Sequence, residues 1–287
     1  MSDASTSLAR TYRYLRIAIA GSVAALFVAI GVAMPAVGVL PSISHYFYSP
    51  ARPVFVGVLI AVSVALFALS GRGAQRVLLD VAAVLAPLIA IIPTPLVPGV
   101  VPGLDAPCPG GDESCVPAGF MGEVGNGVVT YLIVGAGVAV LASVLVVAGR
   151  VERGGTLLSV TVAAVILLAV GFGWVFAREG LLRWGHLLAA VAFFLVIAAS
   201  AVVVAVSPVA GAPAWLSGTY LAIAIALGVV VLTIPVYGGL RLGAVDGVFV
   251  GETVALVLFA AFWVVQSVQA WDASDPAIVG PRRPPAR

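Results

Sequence analysis

Residues Val128–Ala148 read VVTYLIVGAGVAVLASVLVVA, an uninterrupted apolar stretch without a single charged side chain. A helix of about 20 apolar residues crosses the roughly 30 Å hydrocarbon core of a bilayer. Helices are the expected form there because they satisfy their own backbone polar groups. Transmembrane barrel strands are shorter and alternate in polarity, whereas this stretch is long and apolar throughout. It therefore predicts a membrane-spanning helix.

Seven further stretches have the same character, and the second and third of the eight are the shortest. In chain order the eight are 16–39, 53–69, 77–93, 128–148, 157–177, 186–206, 216–236 and 249–269. The chain is 62% hydrophobic and only 9% charged, whereas soluble domains carry about 25% charged residues. The fold class predicted is all-α, a polytopic transmembrane helix bundle of about eight spans.

The apolar stretch 16–39 allows a second interpretation as a cleaved signal peptide. Its apolar core is longer than the roughly 7–15 residues of such peptides, and its small-residue triplets lie inside the apolar run. We therefore prefer an uncleaved first span.

The distribution of arginine predicts the orientation of the bundle. All 14 basic residues are Arg, and cytoplasmic loops carry the excess of positive charge. With the N-terminus inside, the predicted inner segments hold ten of the 14 Arg, and the even number of spans returns the C-terminus to the cytoplasm. Arg-only, Ala- and Val-rich usage suggests a bacterial genome. We expect a multi-pass protein of the bacterial inner or plasma membrane.

The bundle is predicted to occupy residues 1–272, with an extracytoplasmic loop at 94–125 and a disordered, Pro-rich cytoplasmic tail at 273–287. Cys108 and Cys115 lie in that loop, in CPGGDESC. Disulfides persist in oxidising compartments, so we favour a Cys108–Cys115 disulfide. The alternative is a metal site with Asp112 and Glu113, although the spacing matches no standard zinc pattern.

Asp80 lies inside the third predicted span. Arg76 precedes it by four positions, which places both on one helix face. Polar residues in lipid are costly and need a reason. An ion pair that anchors the end of the helix is one interpretation, and a proton or cation site is the other.

A group of polar residues falls at the predicted extracytoplasmic ends of the spans. They predict a ligand-binding pocket at the outer mouth of the bundle, while anchoring at the membrane–water boundary is the alternative. The candidate residues are Ser44, His45, Tyr46, Arg52, Arg183, His186 and Glu252.

No recognised catalytic motif supports a particular chemistry. HExxH, GxSxG and Walker A sequences are missing, so the catalytic residues stay unknown and whether the chain is an enzyme stays uncertain. We predict no metal and no cofactor. The 14 Arg, scattered in ones and twos, form no stripe for nucleic acid, and the expected partners are membrane lipids.

The stretch SISHYFYSPARPVFVG (Ser42–Gly57) resembles a signature of a bacterial family of multi-span integral membrane proteins that is labelled only as a domain of unknown function. IIPT at Ile91–Thr94, HLLAAVAFF at His186–Phe194 and the final span, with Glu252 near its start, are similar to later features of that family. The resemblance implies no activity. It implies that five positions match the family's motifs, namely Ser44, His45, Tyr46, Arg52 and His186.

Three functions remain open from the sequence. The first is the binding of a lipid or amphiphile at the extracytoplasmic face, which the polar group and the missing catalytic motifs favour. The second is a transporter or channel for a small solute or ion, with Asp80 and Glu252 near the two ends of a path. The third is an intramembrane lipid hydrolase that uses His45, His186 and a carboxylate.

Overall fold

The computed structural model describes residues 3–104, 107–108, 113–208, 212–237, 241–242 and 245–276. Its main elements are eight α-helices. In chain order they are α1 (Asp3–Val37), α2 (Arg52–Ala68), α3 (Gly73–Ile91), α4 (Met121–Val147), α5 (Arg153–Phe176), α6 (Arg178–Val206), α7 (Ala214–Tyr237) and α8 (Gly247–Gln269). Two-residue strands β1 (Arg241–Leu242) and β2 (Val245–Asp246) pair antiparallel between α7 and α8.

The helical bundle predicted from the sequence is confirmed. Among the described residues, seven helices are long and apolar enough to cross a membrane. The exception is α2, which has 17 residues. At 1.5 Å per residue α2 is about 25 Å long, a little less than the hydrocarbon core of a bilayer. Several helices extend beyond the predicted apolar stretches, because their first turns carry polar residues that belong outside the hydrocarbon. The largest extension is in α1, which begins at Asp3.

Six of the helices form a closed ring. Going round the ring, α1 contacts α2, then α3, α6, α7 and α8 follow, and α8 contacts α1 again. The remaining two helices, α4 and α5, contact each other and pack on the outside of α3, and α5 also contacts α6. Only three residues of α4 and three of α5 are buried, as expected for helices that face lipid. We call α1, α2, α3, α6, α7 and α8 the helix ring.

Small residues allow the helices to pack closely around α3. Ala82, Ala83 and Ala86 of α3 are fully buried, and small side chains let helix backbones approach in membranes. Gly185 of α6 has the same role, since a Cβ there would lie 3.3 Å from the Ile92 side chain at the end of α3. These contacts bring α6 against α3 where the candidate site residues lie.

The loop after α3 folds over one end of the bundle. Leu96 and Cys115 exchange two backbone hydrogen bonds, and Cys108 and Cys115 form a disulfide, which is the pairing that the sequence favoured over a metal site. Leu96 and Val101 are buried in a cluster with the aromatic residues of a short 3₁₀ helix, Ser44–Tyr48. We call this 3₁₀ helix the Ser44 turn. The loop is shorter than the predicted 94–125, because α4 begins at Met121.

Ion pairs tie the elements together at the opposite end of the bundle. Arg13 of α1 contacts Asp272 at 3.0 Å, and Arg72, before α3, pairs with Asp275. The first residues of the predicted tail are therefore held against the bundle, and residues 277–287 lie outside the described residues. The beginning of α1, the α2–α3 connection and the end of α8 thus lie at one end of the bundle.

Candidate functional site

The helix ring encloses a cavity of about 310 Å³. All six ring helices contribute to its wall, and most of the wall is aliphatic or aromatic. Representative apolar lining residues are Leu26 of α1, Leu59 of α2, Val191 of α6, Ile234 of α7 and Phe259 of α8. The volume is at the lower end of the roughly 300–1,000 Å³ typical of small-molecule sites.

The polar lining residues of the cavity come from the end of the bundle that holds the Ser44 turn. They are Ser42, Ser44, His45, Thr94, His186, Asp246 and Glu252. The cavity therefore combines polar groups toward one end with an apolar wall that extends between the helices.

Ser44 is the centre of a hydrogen-bonded network that joins three parts of the chain. Its Oγ lies 2.9 Å from Oε1 of Glu252 in α8 and 2.8 Å from Nε2 of His186 in α6. The Ser44 backbone N–H also donates to Oε2 of Glu252, at 3.2 Å. Both Ser44 and His186 are buried. The network satisfies polar groups that would be costly to leave unpaired in an apolar surrounding.

The tautomer of neutral His186 follows from its second ring nitrogen. Nδ1 lies 2.8 Å from the carbonyl oxygen of Ile92, and a carbonyl only accepts hydrogen bonds. Nδ1 therefore carries a proton and donates it to Ile92. In the neutral imidazole Nε2 is then an acceptor, and it faces the Ser44 hydroxyl.

The local sequence shapes the Ser44 turn so that it presents these groups. The Ser42 hydroxyl accepts from the His45 backbone N–H at 3.1 Å and contacts His45 Nδ1 at 2.5 Å. Ser49 donates to the Tyr46 carbonyl and accepts from the Ala51 N–H. Such side chain–backbone bonds are the usual means by which Ser stabilises turns. The turn therefore holds Ser44 and His45 toward the cavity.

Asp246 is the second carboxylate of the cavity wall. It precedes α8 as its N-cap, and its Oδ1 accepts from the Val248 N–H at 2.9 Å. An anionic N-cap is favourable at the positive end of a helix. Asp246 is not among the residues predicted from the sequence, although an Asp just before an apolar run is a typical helix-start signal.

The seven predicted site residues separate into two groups. Ser44, His45, His186 and Glu252 line the cavity, whereas the other three are not among its lining residues. Tyr46 is fully buried and donates to the Gly38 carbonyl at 3.0 Å. Arg52 pairs with Glu123 and lies over aromatic rings. Arg183 is exposed and lies over the Trp184 ring.

Asp80 lies apart from the cavity, between α3 and α5. Its Oδ2 accepts from the Ser159 hydroxyl at 2.7 Å and lies 3.7 Å from Nε of Arg76. These contacts connect α3 to one of the two helices outside the ring. Asp80 is not among the lining residues of the cavity.

Metal-ligating residues do not converge in the part of the chain that the structure describes: no group of three or more His, Cys, Asp or Glu has the arrangement of a metal site. His45 and His186 both line the cavity, but the described hydrogen bonds of His45 go to Ser42, not to Glu252.

The pKa of His45 is lowered to about 4, chiefly by burial; nearby His186 acts in the same direction and Asp246 in the opposite one. Because the pKa is depressed in the folded state, stability is complete above the unfolded pKa of about 6.5 and is lost as the pH falls toward 4. Each pKa unit corresponds to about 1.4 kcal/mol. We expect His45→Gln to reduce the loss of unfolding free energy between those pH values by about 2–3 kcal/mol.

Unfolding of both proteins in mixed micelles, measured across that pH range, tests this prediction. An identical pH dependence in the wild type and His45→Gln contradicts it.

Compared with known proteins, the chain matches no family model, no curated protein and no solved structure. The fold and the site define its class: an all-α bundle in which seven of the described helices have membrane-spanning length and the helix ring encloses a largely apolar cavity with polar lining groups at one end.

Proposed function

We propose that this protein spans a bacterial cell membrane eight times, with both termini in the cytoplasm, and binds a single-chain amphiphile at its extracytoplasmic end. The observation that carries the proposal is the cavity inside the helix ring, with its apolar wall and its polar residues toward one end. An alkyl chain fits between the helices and gains about 25 cal/mol per Å² of apolar surface removed from water. The head group then meets Ser44, His186 and Glu252.

The volume of the cavity favours a small occupant. A cavity of about 310 Å³ is near the lower limit for ligand sites, so one alkyl chain with a small head fits better than a lipid with two chains. A transporter for a small solute or ion stays an alternative, but no contact of Asp80 connects it to this cavity.

Filling the cavity is expected to weaken binding of the alkyl chain. Val191 of α6 lines the cavity, whereas Leu188, one turn away, is 64% exposed and is not among the lining residues. We expect Val191→Trp to weaken binding of a lauryl-chain amphiphile at least about tenfold, a loss of about 1.4 kcal/mol. We expect Leu188→Trp to bind as the wild type does.

Calorimetric titration of protein in nanodiscs of neutral lipid, with empty nanodiscs as the blank, measures this difference. The probes are dodecylamine, dodecanol and dodecanoate. Binding of none of the three to the wild type, or equal binding by both Trp variants, contradicts the proposed function.

The proposed orientation is tested by labelling the two cysteines. After treatment of intact cells with a membrane-impermeant reductant, we expect an impermeant maleimide to label Cys108 and Cys115 from outside. A cysteine introduced as Arg150→Cys, in a Cys108→Ser and Cys115→Ser background, is the matched control and is expected to react only after permeabilisation. The reverse pattern inverts the topology and moves the site to the cytoplasmic side.

An intramembrane lipid hydrolase is the second candidate function. One observation favours it: the Ser44 hydroxyl lies 2.8 Å from His186 Nε2, and Ile92 orients the same imidazole through Nδ1. A nucleophile beside an oriented base is the usual arrangement for acyl transfer. A lauryl fluorophosphonate that forms a covalent adduct with Ser44 supports this function, and an unmodified Ser44 counts against it.

A further inference from the structure

The Ser44 hydroxyl has one proton but faces two partners, Oε1 of Glu252 and Nε2 of His186. Because Nδ1 of His186 donates to Ile92, only two arrangements make every hydrogen bond. In the first, neutral His186 accepts from Ser44, and protonated Glu252 donates to Ser44. In the second, the His186 imidazolium donates to Ser44, and Ser44 donates to the Glu252 carboxylate. Each arrangement holds one exchangeable proton and has no net charge.

Removal of that proton leaves one hydrogen bond that cannot form. With Glu252 ionised and Nε2 bare, the hydroxyl can donate to only one of them, and two lone pairs face each other across the other contact. The network then has a net charge of −1 in a largely apolar cavity. A buried charge of this kind is costly unless it is paired. The empty network therefore retains its proton, and a cation beside Glu252 is what allows the proton to leave.

The charged and titratable groups that face this network favour a cationic partner. Asp246 lines the same end of the cavity as Glu252, and His45 on the Ser44 turn is neutral because its pKa is depressed to about 4. Among the lining residues that the structure describes, none is Arg. An anionic head group would therefore meet two carboxyl groups and, among the described lining residues, no cationic side chain, whereas an ammonium group would be attracted.

We propose that the occupant of the cavity is a cationic amphiphile, an alkylammonium, and that its head group replaces the proton shared by Glu252 and His186. The exchange balances: R–NH₃⁺ enters, one proton leaves to solvent, and the Glu252 carboxylate with its neighbour Asp246 holds the ammonium. This inference rests on the proposed function, because it names the head group of the amphiphile bound there.

The three lauryl probes have the same alkyl chain, so differences between their affinities report the effect of the head group. In nanodiscs of neutral lipid we expect dodecylamine, which stays protonated below about pH 9 as other alkylamines do, to bind at least about tenfold more tightly than dodecanol or dodecanoate. Because binding releases a proton, its affinity is expected to rise with pH, by up to about tenfold per unit. Calorimetry in two buffers that differ in ionisation enthalpy counts the protons released.

Glu252→Gln is expected to remove both the preference for the amine and the release of the proton. Glu179→Gln is the matched control: Glu179 is exposed in the first turn of α6 and is not among the cavity residues. The control is expected to behave as the wild type. If Glu252→Gln does not fold, the pH dependence of the wild type alone decides.

Each outcome has one meaning. If dodecanol or dodecanoate binds as tightly as dodecylamine, the cationic ligand is wrong and the proposed function stands. If dodecylamine binds with no release of a proton, the exchange is wrong. If none of the probes binds, the proposed function itself fails.

Discussion

Trp263→Ala is expected to lower the free energy of unfolding by about 3–5 kcal/mol, the usual cost of truncating a large aromatic side chain in a packed core. Trp263 of α8 is fully buried. Its ring lies 5.4 Å from that of Phe262 and 6.4 Å from that of Phe259, both in edge-on geometry. In the helix ring, α8 lies between α7 and α1 and contacts both. The cavity left by the missing indole would therefore weaken the packing of the helix that completes the ring.

Trp215 provides the matched control for this truncation. It lies in the first turn of α7 and is 59% exposed, so its indole loses few protein contacts when it is replaced. We expect Trp215→Ala to change the unfolding free energy by less than about 1 kcal/mol. Unfolding in mixed micelles with increasing dodecyl sulfate measures both variants, and equal losses in the two contradict the packing shown for α8.

Ser44→Ala is expected to cost about 2–5 kcal/mol of unfolding free energy, because it leaves one buried and one partly buried polar group without this partner, and each such group costs about 1–3 kcal/mol when fully buried. The two groups are Nε2 of His186 and Oε1 of Glu252. The substitution removes only one oxygen atom, so lost packing contributes little.

Ser63→Ala is the matched control, because it removes only one hydrogen bond. Ser63 of α2 is also buried, and its hydroxyl donates to one acceptor, the Ala83 carbonyl, at 2.7 Å. We expect it to cost about 1 kcal/mol. Thermal and dodecyl sulfate unfolding give both values, and a Ser44→Ala variant no less stable than Ser63→Ala would falsify the three-residue network.

The helices could be predicted from the sequence because a bilayer imposes a length and an apolar composition on each span. The ring could not. Both α4 and α6 are apolar over most of their length, yet α4 lies outside the ring and α6 within it. A lipid-facing surface is as apolar as a helix–helix contact, so composition does not distinguish the two positions.

The candidate site was predictable as a region but not as a set of contacts. Alternation of the spans was enough to expect His186 and Glu252 at the same end. Their connection through Ser44 depends on residues 142 and 208 positions apart, which local patterns do not report. Ser44 and Tyr46 are two positions apart in one turn, yet Ser44 lines the cavity and Tyr46 is buried in the packing. Only the directions of the two side chains distinguish them.

The short length of α2 has a consequence for the surrounding lipid. Where α2 meets the bilayer, the apolar surface is about 5 Å shorter than a hydrocarbon core of about 30 Å, while α1 beside it is long enough to span fully. With α2 as one of the eight proposed spans, either the bilayer beside it thins or flanking side chains such as Arg52 extend to the interface. We therefore expect lipids with short or unsaturated tails to match this side of the protein best, and the thickness of the host membrane to act on the helix that follows the Ser44 turn.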